Sequence, residues 1–399
     1  MHPADDIRGI KSNKLSNKKI VLGVTGSIAS VESIKLAREL IRHGARVIPV
    51  MSKSATKIIH PDSLEFATSE KTITQLTGKT EHVKFCGITK DKVDLLLISP
   101  CTANTISKIT YGIDDTPVTT FATTAIGSNI PIIVVPAMHL SMYDNDVVQH
   151  NIKICKKIGI SFIEPKISKN KAKMPTVEEI VQYTIRKIGK QDLKKNKILI
   201  IGGATAESLD DVRILTNRSS GKTAISLANN GFERGAKVTL WYGQAKEEVP
   251  TYIFTKRFES FKDLQNLVEK EKFEFDIVIL CAAIADYIPA KQKGKIPSGR
   301  KKLIIELKPT PKIIKKIKSV AYKAKIIAFK LEENKENLKE KSLQLLRENR
   351  LDFVIGNTIS AFGKDENEVL IINRTGKSIY KKDKKEEIAN YILDIITKD

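Results

Sequence analysis

The chain contains few cysteines, and their positions argue against two kinds of stabilising cross-link. Its four cysteines are Cys86, Cys101, Cys155 and Cys281, and no two of them form a C-x-x-C pair. Structural zinc sites and disulfide frameworks depend on closely paired cysteines. The sequence therefore predicts neither a zinc site nor a disulfide-stapled fold.

Long apolar runs are also missing from this sequence. No stretch approaches the roughly 18 apolar residues that cross a bilayer, and the first residues, MHPADDIRGIKSNKLSNKK, are polar and unlike a signal peptide. We therefore expect a cytoplasmic protein that has no membrane partner.

Positive charge is abundant, but the motifs of nucleic-acid binding are absent. The net charge is +22, and much of the excess is lysine spread over predicted helix faces and loops, as at Lys194–Lys195 and Lys315–Lys316. The sequence shows no zinc finger, no RNP-type aromatic motif and no basic helix with interleaved aromatics. We expect no nucleic acid partner, because anionic small-molecule substrates explain a positive field equally well.

The length of the chain predicts two domains. Its 399 residues exceed the roughly 250–300 residues at which a single hydrophobic core stops growing. Two similar strand–turn–helix–strand units begin the halves, at residues 20–51 and 213–243, and a basic stretch near 185–195 separates them. We predict domains at residues 1–190 and 191–399.

Both halves alternate apolar runs with amphipathic stretches, which indicates parallel sheets covered on both faces. The fold class is thus α/β, with two doubly wound, Rossmann-like domains. In the first half we predict strands at 20–24, 46–51, 94–99 and 131–135, with helices at about 30–43 and 145–158. In the second half we predict strands from 197 and at 237–242, 276–281, 325–329 and 352–355, with a hairpin around 373–376.

Ligands of open α/β sheets bind beyond the carboxyl ends of the strands. In the first half this rule brings four polar turns into one pocket: residues 26–29, Ser52, residues 99–105 and residues 136–139. In the second half, a turn with Asn217 and a serine–glycine–lysine run opens directly onto a helix, a pattern typical of an anion site. Residues 291–302 lack periodicity and are expected to form an exposed, mobile loop that carries lysines near that site.

A set of motifs, in order and along nearly the whole chain, resembles one family. The first half carries GSIAS (26–30), His82, PCTANT (100–105) and PAMHLSMY (136–143). The second half carries GGATAESLDDVR (202–213), TNRSSGK (216–222), CAAIADY (281–287), GKI (294–296) and IGNTIS (355–360). Together they resemble the archaeal type of the bifunctional coenzyme A biosynthesis family, in which phosphopantothenoylcysteine decarboxylase is fused to phosphopantothenate–cysteine ligase.

For the first half, the resemblance implies a flavodoxin-like domain that binds FMN. The flavin would take two electrons from the thiol, so that the oxidised substrate loses CO2, and would then return them to give 4′-phosphopantetheine. His82 is implied as the acid/base group and Asn104 as a substrate-orienting residue. The implied flavin-binding residues are Gly26, Ser27, Ile28, Ser52, Ser99, Thr102, Ala103 and Met138.

Two departures from the family pattern affect the decarboxylase half. His139 stands where the family usually has Asn; both side chains can donate a hydrogen bond to the substrate carboxylate, but histidine can also carry charge. The bacterial pattern includes a lid with a proton-donating cysteine, whereas EPKISKNKAKM (164–174) has none. Cys101 and Cys155 are the nearest thiols, and both are expected to pack in the core. The proton donor is therefore unassigned, and a homologue that keeps only the ligase activity stays an alternative.

For the second half, the resemblance implies a nucleotide-binding ligase domain. CTP and Mg²⁺ would activate 4′-phosphopantothenate as an acyl-cytidylate, which the amine of cysteine then attacks. Asn217 would bind the pantothenoyl part, Lys295 would neutralise the α-phosphate, and Asp286 would meet the nucleotide or its metal. The other implied substrate- and nucleotide-binding residues are Gly203, Ser219, Ser220, Gly221, Lys222, Cys281, Ala282, Pro311, Lys312, Ile313, Ile314, Phe329, Lys341 and Asn357.

The main alternative is a tandem nucleotide-binding oxidoreductase. It predicts G-x-G-x-x-G followed by an acidic residue, but GVTGSIAS lacks the third glycine and the second strand ends in Met51, Ser52 and Lys53. A basic scaffold protein without chemistry is a second alternative. The family resemblance implies a homo-oligomer with sites at subunit interfaces, and it leaves open the choice of CTP over ATP.

Overall fold

The computed structural model describes residues 2–168, 170–299, 301–359 and 366–398. The chain forms two compact units, residues 1–190 and residues 191–399.

The first unit is built on a five-stranded parallel sheet in the order β2-β1-β3-β4-β6. This is the strand order of flavodoxin-like folds, in which the chain reverses direction between the first and third strands. The strands of the unit are β1 (Lys19–Val24), β2 (Arg46–Met51), β3 (Leu95–Cys101), β4 (Ile132–Pro136), β5 (Met138–His139), β6 (Ser161–Phe162), β7 (Lys166–Ser168) and β8 (Lys171–Lys173). The helices are α1 (Pro3–Asp6), α2 (Ser33–Arg42), α3 (Pro61–Thr68), α4 (Glu81–Cys86), α5 (Ala103–Thr110), α6 (Pro117–Gly127), α7 (Leu140–Tyr143), α8 (Asp146–Lys157) and α9 (Val177–Ile188).

Strand β3 shows why this sheet is covered on both faces. All seven of its residues are buried, and successive side chains of a strand point to opposite faces. Leu95 and Leu97 pack into one hydrophobic core, with residues of α2, α3 and α9. Leu96 and Ile98 pack into the other, with residues of α5, α6 and α8.

The second unit contains an eight-stranded sheet in the order β13-β12-β9-β14-β17-β18-β19-β20. Its strands are β9 (Lys197–Gly202), β10 (Ala206–Ser208), β11 (Ile214–Thr216), β12 (Lys237–Tyr242), β13 (Phe254–Arg257), β14 (Ile277–Leu280), β15 (Tyr287–Pro289), β16 (Leu307–Pro309), β17 (Lys325–Glu332), β18 (Phe353–Thr358), β19 (Glu366–Asn373) and β20 (Ser378–Lys384). Its helices are α10 (Lys222–Glu233), α11 (Phe261–Lys270), α12 (Ile313–Val320), α13 (Lys335–Glu348) and α14 (Lys385–Lys398).

The first six strands of this sheet are parallel and follow the Rossmann order, whereas β19 and β20 continue it as an antiparallel hairpin. Strand β20 lies at an open edge of the sheet; Ile379, Tyr380, Lys382 and Lys384 are exposed there, and its other residues are half-buried. The predicted fold class, two doubly wound α/β domains, is confirmed. No helix in the described parts of the chain has the length and apolar character needed to cross a membrane.

Two local differences from the sequence-based prediction affect the candidate sites. The helix expected at about 30–43 begins instead as a 3-10 turn, Ile28–Glu32, followed by α2, because the Ser27 hydroxyl accepts a hydrogen bond from the Ala29 amide at 3.4 Å and starts the turn early. The lysine-rich stretch of residues 164–174, for which we predicted no strand, contains the antiparallel strands β7 and β8. Strand β8 pairs with β5 through Met138–Ala172 and His139–Lys171.

Candidate active sites

The first unit has a cavity of about 1010 Å³ at the carboxyl edge of its sheet. The turns after β1, β3 and β4 contribute residues 26–29, 102–103 and 137–139, and the β8 hairpin and the start of α9 contribute residues 171–178. The structure thus brings together six of the eight predicted flavin-binding residues: Gly26, Ser27, Ile28, Thr102, Ala103 and Met138. It also places the predicted catalytic residue His139, which is exposed, on the same wall.

Backbone contacts fix the turns that form this wall. The Thr25 hydroxyl donates a hydrogen bond to the Pro100 carbonyl at 2.9 Å and accepts one from the Thr102 amide at 3.1 Å. These bonds tie the turn after β1 to the turn after β3. Gly26 approaches its neighbour so closely that a Cβ built on it would lie 2.4 Å from the Cβ of Ser54. A side chain at position 26 would therefore collide with Ser54 in the turn after β2.

The other two predicted flavin-binding residues, Ser52 and Ser99, lie behind the cavity wall. Ser52 is buried, and its hydroxyl accepts a hydrogen bond from the Ala55 amide at 3.3 Å, as a helix cap does. Ser99 is completely buried and donates to the sulfur of Met174 at 3.3 Å. Since Met174 lines the cavity, Ser99 supports the wall rather than forming it.

Two of the predicted catalytic residues of this half, His82 and Asn104, do not line the cavity of their own unit. Asn104 is exposed on α5. His82 lies on α4, a helix that packs against α6. Its Nδ1 atom is buried and has no hydrogen-bond partner among the described residues.

The far end of the cavity carries a charged cluster that the sequence analysis missed. Glu39 of α2 is buried and lines the cavity, and its carboxylate bonds to Lys11 and to Arg42, the latter at 2.9 Å. Burial tends to raise the pKa of Glu39, but the hydrogen bonds from Lys11 and Arg42 outweigh it and lower the pKa below its usual value. The carboxylate therefore stays ionised and ties the N-terminal segment to the cavity wall.

The cysteines of the first unit are shielded from the solvent. Burial raises the pKa of Cys86 to about 12, and it also raises the pKa values of Cys101 and Cys155. A raised pKa makes a thiol a weaker acid, and the thiolate is the nucleophile, so none of these three residues is a ready proton donor or nucleophile at neutral pH. The expectation that Cys101 and Cys155 pack in the core matches their burial.

The second unit has a smaller cavity of about 160 Å³, also at the carboxyl edge of its sheet. It is lined by eight of the predicted substrate- and nucleotide-binding residues: Gly203, Ser219, Ser220, Gly221, Cys281, Ala282, Phe329 and Asn357. It is also lined by four polar residues that the sequence analysis did not select: Arg218, Thr223, Asn367 and Lys385. Asn367 is buried, and its Oδ1 has no hydrogen-bond partner in the described residues.

The turn before α10 forms the polar side of this cavity. Gly221 is the N-cap of α10 with φ 79°, a left-handed conformation that favours glycine. The Ser220 hydroxyl accepts a hydrogen bond from the Lys222 amide at 3.4 Å. Asn217 stands beside the lining and donates from Nδ2 to the Ala283 carbonyl at 3.2 Å. The turn thus presents hydroxyl and amide groups with Arg218, a combination suited to an anion.

The remaining predicted ligase residues do not line this cavity. Asp286 forms an exposed ion pair with Lys312 at 2.5 Å, and Lys341 pairs with Glu332 at 2.7 Å. Ile313 and Ile314 are buried in α12 and face its hydrophobic core. Pro311, Lys222 and Lys295 also lie outside the lining. The described residues contain no cluster of three or more histidine, cysteine or acidic side chains that could hold a metal ion by itself.

The loop around Lys295 was predicted at residues 291–302 as exposed, and its described residues are exposed except Ile296. Hydrogen bonds attach part of it to Asp210 and Asp211. The Ile296 amide donates to Asp210 Oδ2 at 2.9 Å, and Ile296 itself is buried. The Ile296 amide and, to a smaller extent, the amides of Val212 and Arg213 hold the pKa of Asp210 well below its usual range, although burial opposes this effect. Sequence patterns gave no signal for this contact, because 86 residues separate its partners.

Comparison with known proteins covers both units. The Flavoprotein family model matches residues 8–189, and the model of the DNA/pantothenate metabolism flavoprotein C-terminal domain matches residues 193–398. The coenzyme A biosynthesis bifunctional protein CoaBC of Thermococcus kodakarensis is 43% identical over 404 residues, which cover 100% of this chain and 99% of the relative. The chain belongs to this family.

Other members of the family match over nearly their whole length. CoaBC of Methanocaldococcus jannaschii is 37% identical over 408 residues, covering 100% of this chain and 98% of the relative. CoaBC of Borreliella burgdorferi is 32% identical over 393 residues, covering 95% of this chain and 99% of the relative. The family predicted from the sequence motifs is therefore confirmed, and the first unit belongs to a flavoprotein family.

Proposed function

We propose that the chain catalyses two consecutive steps of coenzyme A biosynthesis. The second unit, residues 191–399, would ligate cysteine to 4′-phosphopantothenate with CTP. The first unit, residues 1–190, would decarboxylate the resulting phosphopantothenoylcysteine to 4′-phosphopantetheine. The proposal is supported by the match of both family models to one chain and by a relative that is 43% identical over 99% of its own length. This membership confirms the predicted bifunctional enzyme.

FMN is the proposed cofactor of the first unit, and the cavity fits a group of its kind. A volume of about 1010 Å³ is large enough for a group of this size. Gly26 lines the cavity and lets the turn after β1 lie against Ser54, where any side chain would collide. Ser27, Thr102 and Met138 would contact the flavin. A bound flavin supplies the two-electron acceptor that a cysteinyl carboxylate lacks.

The residues of the chain would orient the substrate and move its protons. His139 lies on the cavity wall and would donate a hydrogen bond to the substrate carboxylate. His82 is the proposed acid/base group and Asn104 the proposed orienting residue. Because neither lines the cavity of its own unit, we include a homo-oligomer in the proposal: a second copy would bring these side chains to the cavity.

In the second unit, positioning and charge neutralisation would carry the ligation. Ser219, Ser220 and Gly221 would hold a phosphate at the start of α10, and the positive side chains of Arg218 and Lys385 line the same cavity. Asn217 would bind the pantothenoyl part, and Lys295 would neutralise the α-phosphate. Since Asp286 belongs to no cluster of three or more metal-binding side chains within the described residues, the phosphates of CTP would supply most of the ligands to Mg²⁺.

A single reaction tests both halves of the proposal. The full-length protein is incubated with 4′-phosphopantothenate, cysteine, CTP and Mg²⁺, and the products are identified by mass spectrometry. Formation of 4′-phosphopantetheine that depends on His82 supports decarboxylation, and loss of coupling in Asn217→Asp supports the ligase site. A parallel reaction with ATP tests the nucleotide preference. Absence of any coupled product with either nucleotide would refute the ligase.

A chain that performs only the ligation is the second candidate function. The buried, unreactive cysteines of the first unit favour it, because they offer no evident proton donor for the final reduction. The same experiment separates the two functions, since the ligase-only chain would stop at phosphopantothenoylcysteine and release no CO2. We also propose that the protein works in the cytoplasm on small-molecule substrates.

A further inference from the structure

The loop that carries Lys295 is attached on both sides of that residue. The Gly294 amide donates to Asp211 Oδ2 at 2.9 Å, and the Ile296 amide donates to Asp210 Oδ2 at 2.9 Å. Two consecutive carboxylates therefore bind the two backbone neighbours of Lys295. The lysine side chain itself is exposed.

Further contacts complete the attachment. The Asp211 amide donates to the Gly294 carbonyl at 3.2 Å, and Lys291 forms an ion pair with Asp211 at 2.8 Å. Arg213 binds the Asp210 carboxylate and also donates to the Ile296 carbonyl at 3.1 Å. Charge-assisted bonds of this kind are stronger than neutral ones.

The anchor itself is rigid. Asp210 is 2% exposed, and its Oδ1 accepts hydrogen bonds from the Val212 and Arg213 amides at 2.8 and 2.6 Å. The residues that follow Arg213 form β11, Ile214–Thr216, which leads directly to Asn217. One short segment thus connects the attachment point of Lys295 to Asn217.

We infer that Asp210 is a positioning residue for the ligase reaction, which holds Lys295 at a fixed place relative to Asn217. The inference rests on the proposed function for the roles of these two residues. Asp210 does not touch the substrate and acts through the backbone of residues 294–296. An attached backbone limits the region that the Lys295 ammonium group can reach, so less freedom is lost when the acyl-cytidylate forms, and small displacements of the attachment are costly.

The test compares Asp210→Asn with Lys295→Gln and with the double variant in the full-length protein. Asp210→Asn should lower the ligase kcat about 10- to 100-fold with little change in the KM for cysteine. In the Lys295→Gln background the same substitution should cost less than about twofold, because effects that act through one residue are not additive. A merely structural role would give additive losses, and that outcome would overturn the inference.

Limited trypsin digestion supplies an independent readout. Asp210→Asn should speed cleavage after Lys293 and Lys295 about 10-fold or more, since the loop loses a buried, charge-assisted bond. Asp263→Asn is the matched control: this aspartate also accepts backbone amides, those of Ser260 at 2.9 Å and Glu259 at 3.3 Å, but it caps α11 and has no bond to the loop. It should leave both the cleavage and the kcat unchanged.

Failure of the inference and failure of the proposed function give different results. Unchanged loop cleavage and unchanged kcat in Asp210→Asn overturn the positioning role alone. Full ligase activity in Lys295→Gln overturns it together with the assigned role of Lys295. Should Asp210→Asn fail to fold, Asp211→Asn serves instead, because it weakens the bond to Gly294 and the ion pair with Lys291 but leaves the contacts of Asp210 in place. It should show the same effects at smaller size; no effect there would count against the inference.

Discussion

The hydroxyl of Tyr242 occupies the space that a side chain at position 221 would need. A Cβ built on Gly221 would lie 1.8 Å from the Tyr242 Oη. The ring of Tyr242 is buried, and its hydroxyl donates to the Glu247 carbonyl at 3.2 Å. Burial also raises the pKa of Tyr242 to about 12, so the hydroxyl keeps its proton at neutral pH. The turn of residues 219–221 can approach β12 this closely because position 221 is glycine.

Gly221→Ala should therefore disrupt the proposed phosphate-binding turn. We expect CTP affinity to fall at least about 10-fold, because the turn must move away from Tyr242 and its amides no longer converge. Gly376→Ala is the control, since Gly376 has a similar φ of 85° but a nearest neighbour at 3.9 Å. Both variants place an alanine in a left-handed conformation, which destabilises each of them by about 1 kcal/mol. A difference in CTP affinity between them, measured by isothermal titration, therefore reports the collision with Tyr242. Equal affinities in both variants would contradict the prediction.

Gly26→Ala should weaken flavin retention in the first unit. The new methyl group would collide with Ser54, so the turn that carries Gly26 and Ser27 must shift, and this turn lines the cavity of the proposed flavin. The ratio of absorbance at 450 nm to that at 280 nm reports the flavin content of the purified protein. We expect this ratio to fall by at least about half, because overpacking shifts the cavity wall. Gly127→Ala should keep the full ratio, because a Cβ at this position would meet no described atom within 4 Å beyond its own helix backbone and chain neighbours.

Glu39→Gln should destabilise the protein at neutral pH but not at low pH. The pKa of Glu39 is lower in the folded chain than its ordinary value of 4.5, so its contribution to stability is present above pH 4.5 and is lost as the pH falls through the folded pKa. We expect a loss of about 1–3 kcal/mol at pH 7, which should shrink below pH 4. Calorimetric unfolding at pH 7 and at pH 3.5 measures the loss of stability.

The control for this pH dependence lies on the same side of the cavity. Glu32 lines it too and pairs with Lys35 at 3.2 Å, but its side chain is 40% exposed. An exposed pair contributes only about 0–1 kcal/mol, so Glu32→Gln should change the stability little at either pH. A loss in Glu39→Gln that is the same at pH 7 and pH 3.5 would show that the ion pairs are not its cause.

Asp286→Asn should raise the Mg²⁺ concentration needed for half-maximal ligation by at least about 10-fold, if this carboxylate binds the metal of the nucleotide. In the structure the carboxylate is paired with Lys312, which competes with a cation. Lys312→Gln should therefore lower the Mg²⁺ requirement or leave it unchanged. Magnesium titrations of the ligase rate compare the three proteins; an unchanged midpoint in Asp286→Asn would remove this residue from the metal site.

Much of the fold could be predicted because its signals are local. The alternation of apolar runs and amphipathic stretches marked the core strands, and Leu95–Ile98 indeed divide between the two faces of their sheet. The turns at residues 26–29 and 102–103 follow buried strands, so the rule for carboxyl ends brought them to one cavity. The hairpin β7–β8 was missed because lysines surround its one buried residue, Ala172, so the sequence shows no alternation of apolar and polar residues there.

The missed site residues depend on contacts between distant parts of the chain. Asn367 and Lys385 reach the second cavity from strand β19 and from the start of α14, more than 140 residues after Ser220. Nothing in their neighbouring residues distinguishes them from surface polar groups. The same holds for Asp210, whose partner is 86 residues away. Residues of this kind can be assigned to a site only when the positions of the strands and loops relative to one another are known.

The charged outer strand of the second unit has a consequence for handling the protein at high concentration. Strand β20 leaves one row of backbone amides and carbonyls unpaired within the described sheet, a template on which a foreign strand could add. Lys381, Lys382 and Lys384 outnumber the one acidic residue of this strand, Asp383, so the edge strand carries a net positive charge. Two such borders repel each other, so stacking of copies into fibrils is disfavoured at low ionic strength and becomes easier as salt screens the lysines.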